Sequence, residues 1–152
     1  MMEFLAILSL CAVAILVVPN EGEVVAIDAW TGKAATSLPW TLRLFSNDVV
    51  PVGGSTTASF TEVVGGGYVA FGLTAASWAT TPGTPTTTIH PSHVFGFTGT
   101  TDAPGTIFGW YITNDDGKVV AAERLLGSYT PETSGDTLEI VPRLTLGSIS
   151  GD

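Results

Sequence analysis

The chain is poor in basic residues, in charge of any kind and in cysteine, and each shortage excludes something. Five Lys and Arg in 152 residues, against fourteen Asp and Glu, leave a formal charge of −9. Phosphate backbones are gripped by clustered cations, whereas Lys33, Arg43, Lys118, Arg124 and Arg143 are scattered along the chain. No nucleic-acid partner is expected, and the same balance disfavours an anionic membrane surface. The single cysteine, Cys11, rules out an intrachain disulfide framework and any zinc site built from several thiolates. Cohesion has to come from packing or from a partner subunit.

Long hydrophobic runs are also scarce. One exists, Phe4 to Val18 (FLAILSLCAVAILVV), apolar apart from Ser9. As a helix it would reach ~22 Å, short of a hydrocarbon core of ~30 Å. No basic residue precedes Lys33 and Glu3 stands near the start, unlike the usual opening of a secretory signal. Ala12-Val13-Ala14 can pass for a small-x-small cleavage site, while Leu8-Ser9-Leu10-Cys11 is a poor lipobox because a small residue is wanted before the cysteine. Three readings stay open for residues 1–18: an export signal or anchor, an ordered segment packed on the domain or a neighbour, or an over-long start.

What is present points to strands. Forty-five per cent of residues are hydrophobic, and eighteen Gly and nine Pro accompany abundant Thr and Ser, a composition of short strands and many turns. A chain of this length is one domain and buries roughly 70% of its unfolded surface. The expectation is an all-β domain over residues 19–152: a β-sandwich of Greek-key or jelly-roll type with about seven or eight strands and one short N-terminal helix.

The strongest local pattern is Ile107 to Arg124 (IFGWYITNDDGKVVAAER), two strands joined by an acidic turn whose residues tolerate positive φ. Strand alternation puts Phe108, Trp110 and Ile112 on one face, looking into a core, and Ile107, Gly109, Tyr111 and Thr113 on a mixed face. Earlier, Asn20 and Glu23 form a capping-box pattern, and Val24, Ile27 and Trp30 share a helical face. A helix over Gly22–Thr31 follows, that face packing on the core. Trp40 to Phe45 alternates, with Trp40, Leu42 and Leu44 inward. Phe60 and Glu62 suit a short strand or a turn of helix. Tyr68 to Leu73 reads as a strand burying Val69, Phe71 and Leu73, and Ala79–Thr88 as a loop leading into an exposed strand. Thr137 to Leu146 reads as a strand with Leu138 and Ile140 inward, where Pro142 marks an edge, a bulge or a break.

Candidate chemistry is thin. Gly65-Gly66-Gly67 has neither the Lys-Ser/Thr nor the helix that a phosphate cradle needs, so a bulged or flexible approach to a strand is favoured. His90 and His93 could share a metal only on a helix, which Pro91 opposes, and no third ligand is identifiable; a turn with exposed imidazoles is expected. Asn114-Asp115-Asp116-Gly117 resembles the start of a calcium loop, but Lys118 to Arg124 returns as strand where the later ligands belong. Glu62, Glu123 and Glu139 read as solvated strand positions; Trp78 and Tyr129 are conceivable as exposed aromatics for a carbohydrate, but a core role is favoured for them. No Gly-x-Ser-x-Gly elbow is present. No residue is singled out as catalytic, cofactor-binding or metal-ligating, and no cofactor is expected.

Trp40–Pro51 (WTLRLFSNDVVP), Phe60–Trp78 (FTEVVGGGYVAFGLTAASW), Phe108–Leu125 (FGWYITNDDGKVVAAERL) and Gly135–Leu146 (GDTLEIVPRLTL), taken in order, resemble a group of small virion proteins of tailed bacteriophages. The resemblance spans Val18 to Gly147, and the run before Val18 departs from it. It implies a single-domain β-sandwich, a non-enzymatic capsid decoration or cement protein in the virion. The implied partners are capsid or other virion proteins, with a homo-oligomer, a trimer by preference, because small decorations often follow local symmetry. A tail, collar or fibre component is the second expectation. A secreted or cell-surface binding module, with Phe4–Val18 as its signal, is the third.

Overall fold

In the computed structural model the described residues are 16–31, 39–83 and 85–146. In chain order they form helix α1 (Asn20–Trp30) and nine strands: β1 (Trp40–Phe45), β2 (Phe71–Leu73), β3 (Ala79–Thr81), β4 (Thr86–Ile89), β5 (His93–Thr98), β6 (Ile107–Thr113), β7 (Val119–Tyr129), β8 (Ser134–Ile140) and β9 (Arg143–Leu146). Two short 3₁₀ turns, Thr57–Ser59 and Ala75–Ser77, sit in the connections. The all-β, sandwich-like expectation is met, with nine strands where seven or eight were counted.

All pairings are antiparallel, in a four-stranded sheet β2-β1-β6-β7, a three-stranded sheet β3-β4-β9 and a two-stranded ribbon β5-β8. The register stacks matching side chains: Leu42 opposes Ile112, which opposes Ala121, and Leu44 opposes Trp110. These inward residues meet Phe95, Phe97 and Ile140 of the ribbon in the main core. The other face of the large sheet is covered too. Phe45, Phe60, Tyr111, Val119 and Ala122 form a second cluster, in which the Phe60 and Tyr111 rings stack with centroids 4.8 Å apart. Both faces of β6 are therefore buried, which explains its almost unbroken apolar sequence.

Several expectations are corrected. Phe108 packs with the second cluster, not with Trp110 and Ile112, and Ile107 joins the main core. The cause is a break in the β6–β7 register between Ile107 and Gly109, which shifts the alternation by one. α1 begins at Asn20 rather than Gly22, with Pro19 as its cap residue. On its expected apolar face Val24 is exposed by 48% and Ile27 by 53%. The helix docks instead through its first turn: Gly22 is buried where a Cβ would strike the Val120 carbonyl oxygen, and Glu21 accepts the Val119 N–H at 3.1 Å. Val69 is exposed, because β2 starts only at Phe71. The Thr-rich 79–88 stretch is a hairpin of β3 and β4 rather than a loop.

Phe60 and Glu62 belong to neither a strand nor a helix: a 3₁₀ turn ends just before them at Ser59, and Glu62 makes an isolated bridge to Phe45. Pro142 is a break: the chain leaves the ribbon at Ile140 and joins the three-stranded sheet at Arg143. Residues 1–15 of the hydrophobic start, Cys11 among them, lie outside the described residues. Val17 exchanges two backbone hydrogen bonds with Ala122 of β7, both 2.9 Å. Among the described residues, no helix is long and apolar enough to cross a membrane.

Candidate functional site

Five rings collect where the three sheets meet. Trp40 opens β1, Phe71 opens β2, Trp78 precedes β3, His90 follows β4, and His93 opens β5. Pro91 keeps the His90–His93 stretch out of a helix, and the His90 N–H is anchored to the Pro142 carbonyl at 2.9 Å. The break at Pro142 and the turn at Pro91 thus fix each other. Trp78 takes Trp40 and His90 edge-on, at centroid separations of 6.0 and 5.2 Å. His93 lies flat on Phe71 at 3.7 Å and edge-on to Phe95 at 4.5 Å. The imidazoles are not the exposed turn residues expected: His90 is 5% exposed and His93 is half-buried, because β2 brings Phe71 across both rings.

The electrostatics of this junction are spare. His93 is held below its ordinary pKa by burial and then by repulsion from His90. His90 Nδ1 lies 2.9 Å from the Pro91 carbonyl oxygen, while its Nε2 and Trp40 Nε1 are buried and make no hydrogen bond. The two histidines do come near each other, but no group of three or more His, Cys, Asp or Glu able to hold a metal exists among the described residues. Trp78 and Tyr129 are partly buried against the main core, the reading favoured over exposed aromatics.

A second polar locus sits at the middle of β1. Arg43 donates to Glu62 at 2.7 Å and to Thr113 Oγ1 at 3.3 Å. Tyr68 donates its hydroxyl to Glu62 at 3.1 Å while accepting the Leu44 N–H at 3.1 Å. Burial holds the Tyr68 phenol well above its ordinary pKa. Burial, with the Glu62 charge second, pushes Tyr111 up to about 12. Glu62 is therefore a structural partner rather than a solvated strand position.

Glu123 departs from that expectation as well. Its ladder partner is Trp110, so it points toward the main core; burial pushes its carboxyl up to about 7, against the opposing pull of a hydrogen bond from Trp110. Glu139 is exposed, as expected.

The remaining motifs are local structure. Gly65, Gly66 and Gly67 adopt φ of 78°, 56° and 78°, and side chains there would run into Asp102, the Thr100 carbonyl and Thr98. Their backbone serves close packing against the 98–102 loop, with Gly66 accepting the Thr98 N–H at 2.9 Å. Asn114 closes the acidic turn by accepting the Lys118 N–H on its side chain at 2.8 Å and the Gly117 N–H on its carbonyl at 3.0 Å. Sequence reasoning missed Trp40 and Phe71 as parts of one site with the histidines. The signal it had, aromatic residues at the openings of separate strands, becomes a cluster only through the pairing of those strands.

Comparison of the chain with protein-family models, with curated proteins and with solved structures finds no match in any of the three.

Proposed function

We propose that this chain is a non-enzymatic structural protein of a tailed-phage virion, a capsid decoration or cement protein that stabilises the head. The four sequence blocks that resemble small phage virion proteins motivate this reading. The observation that carries it is a concentration of exposed aliphatic side chains in one connection. Val50, Val52, Val64 and Val69, all between β1 and β2, are 58–74% exposed. Solvated valines concentrated in one connection suit a contact surface that a partner covers. Around them the backbone is held in place: Asn47 accepts the Thr61 N–H at 2.7 Å and donates to the Ser59 carbonyl at 2.9 Å. A braced apolar loop loses little entropy on association. The working unit is a homo-oligomer, a trimer by preference, bound to capsid proteins.

The test is mass spectrometry of density-purified particles, with heads and tails separated, from cells that encode the chain. Recovery in the head fraction, in numbers comparable with the major capsid protein, is the expected result. Recovery with tails transfers the reading to a tail, collar or fibre component. Particles free of the chain overturn it.

A further inference from the structure

Helix α1 turns aliphatic side chains to solvent. A surface helix ordinarily sets its apolar side on the core and its polar side in water. Here the side that holds Gly22 is taken by β7, with Gly22 buried against the Val120 backbone. At about 100° per residue, Asn20, Glu23, Val24 and Ile27 fall on the opposite side, and all four are exposed. Val24 and Ile27 occupy the middle of that arc. Glu23 borders it on one flank and Asp28 on the other, each about 40° beyond the nearer aliphatic residue.

The arc continues onto the connection between β1 and β2. Asn20 donates its N–H to the Gly53 carbonyl at 2.8 Å, and its side-chain oxygen lies 3.5 Å from where a Gly53 Cβ would stand. Val52 thus arrives at the foot of the helix face, and Val24 stands one helical turn above Asn20. Val49 packs in the second cluster and Pro51 is buried, which holds this stretch down while Val50 and Val52 project to solvent.

Charge decides what can cover this surface. α1 carries Glu21, Glu23 and Asp28 and no cation. The cation that reaches the loop, Arg124, is held by Asp48 and the Val49 carbonyl. A second copy would set carboxylate against carboxylate across the aliphatic stripe, on a chain whose formal charge is already −9. An anionic membrane is repelled for the same reason. We propose that α1 and residues 50–53 form one docking face for a protein partner presenting an apolar groove bordered by Lys or Arg. The helix lays Val24 and Ile27 into the groove, and the bordering cations face its carboxylate flanks. The inference rests on the valine contact surface of the proposed function and names the chemistry of its partner.

Methyl nuclear magnetic resonance of the full chain tests it, with a synthetic amphipathic helix of Leu and Lys as probe and its Leu–Glu counterpart as control. The Leu–Lys helix should shift the Val24, Ile27, Val50 and Val52 signals saturably at physiological salt, and the Leu–Glu helix should not. Ile27→Ser, which leaves the charge unchanged, should weaken binding about tenfold, and Glu23→Gln about threefold with a flatter salt dependence. Both positions are exposed, and circular dichroism should show the fold intact in each variant. Binding that survives Ile27→Ser unchanged is attraction by net charge and overturns the proposal, as does a helix face without shifts. Weaker binding in Val52→Ser but not in Ile27→Ser overturns the helix's part and leaves the valine loop as a contact surface. Methyl contacts from residues 1–15, or contacts from a second copy that grow with concentration, give the face another occupant and overturn it too. The virion reading keeps its own test in the particles, which none of these outcomes decides.

Discussion

Trp40 and Arg43 belong to the same strand, yet their surroundings follow opposite rules. Around Arg43 the polar groups interlock: guanidinium to carboxylate, carboxylate to phenol, phenol to the Leu44 backbone. Around Trp40 and His90 the rings pack on Trp78, but two ring nitrogens make no hydrogen bond. The first arrangement is what a fold needs to hold a strand in register, since unpaired buried groups cost stability. The second leaves Trp40 Nε1 and His90 Nε2 enclosed by rings and without partners. The contrast separates polar groups that close a network from polar groups that ring packing alone surrounds.

Substitutions should respect that division. The largest loss is expected at Gly109→Ala on the interlocked side, where the new methyl would strike the Phe45 ring and the Glu123 carbonyl. Overpacking against backbone should cost about 3 kcal/mol or prevent folding, measured by chemical denaturation. Tyr68→Phe comes next. It strips a partner from the Leu44 N–H and from Glu62 together, for a loss of about 2 kcal/mol. A loss below about 0.5 kcal/mol would erase the distinction drawn between the Arg43 and Trp40 surroundings.

Glu123→Gln sharpens the comparison by pH. The folded chain holds the Glu123 proton up to about 7, whereas an ordinary glutamate releases it near 4.5. Folding is therefore favoured where the group is protonated, stability declines as pH rises through that window, and the penalty is complete above it. The amide should stabilise the protein by about 1 kcal/mol at pH 8, a value discounted for the solvent that reaches a half-buried carboxyl, and should be nearly neutral at pH 4. Trp110 can still donate to the amide oxygen, so the thermal midpoint at the two pH values isolates the charge.

The smallest effect belongs to the junction. His93→Phe keeps a flat ring on Phe71 and should change stability by less than about 0.5 kcal/mol at pH 8. Burial holds the His93 pKa below its ordinary 6.5, so the unfolded chain binds the proton first and stability falls as pH drops through that value. The phenylalanine variant should flatten this decline, read as a smaller difference between thermal midpoints at pH 8 and pH 5.

The β6–β7 hairpin was readable from sequence because its signals are local: Asn114 to Gly117 for the turn and β-branched or aromatic residues on either side. Its facing was readable only in part, since the register break beside Gly109 leaves no mark in the order of residues, and it moved Phe108 to the other side of the sheet. Helix α1 was legible in extent within two residues at its start, but not in orientation. The spacing of Val24 and Ile27 suggested a buried face, while docking was decided by Gly22, whose missing side chain admits the β7 backbone. The junction was the least legible of all. His90 and His93 looked like turn residues because Pro91 stands between them, and nothing near them announces that Trp40 and Phe71 will arrive.

Composition and alternation by themselves determined that this chain would be an acidic, antiparallel all-β domain with one short helix. Those properties follow from local backbone preference and from the charge carried on each residue. Only the tertiary structure decided which aromatic rings meet, which carboxylate is turned inward and which ring nitrogens are left without partners. These depend on the pairing of strands distant in sequence and on the burial that pairing imposes, and neither quantity is written in any single stretch of the chain.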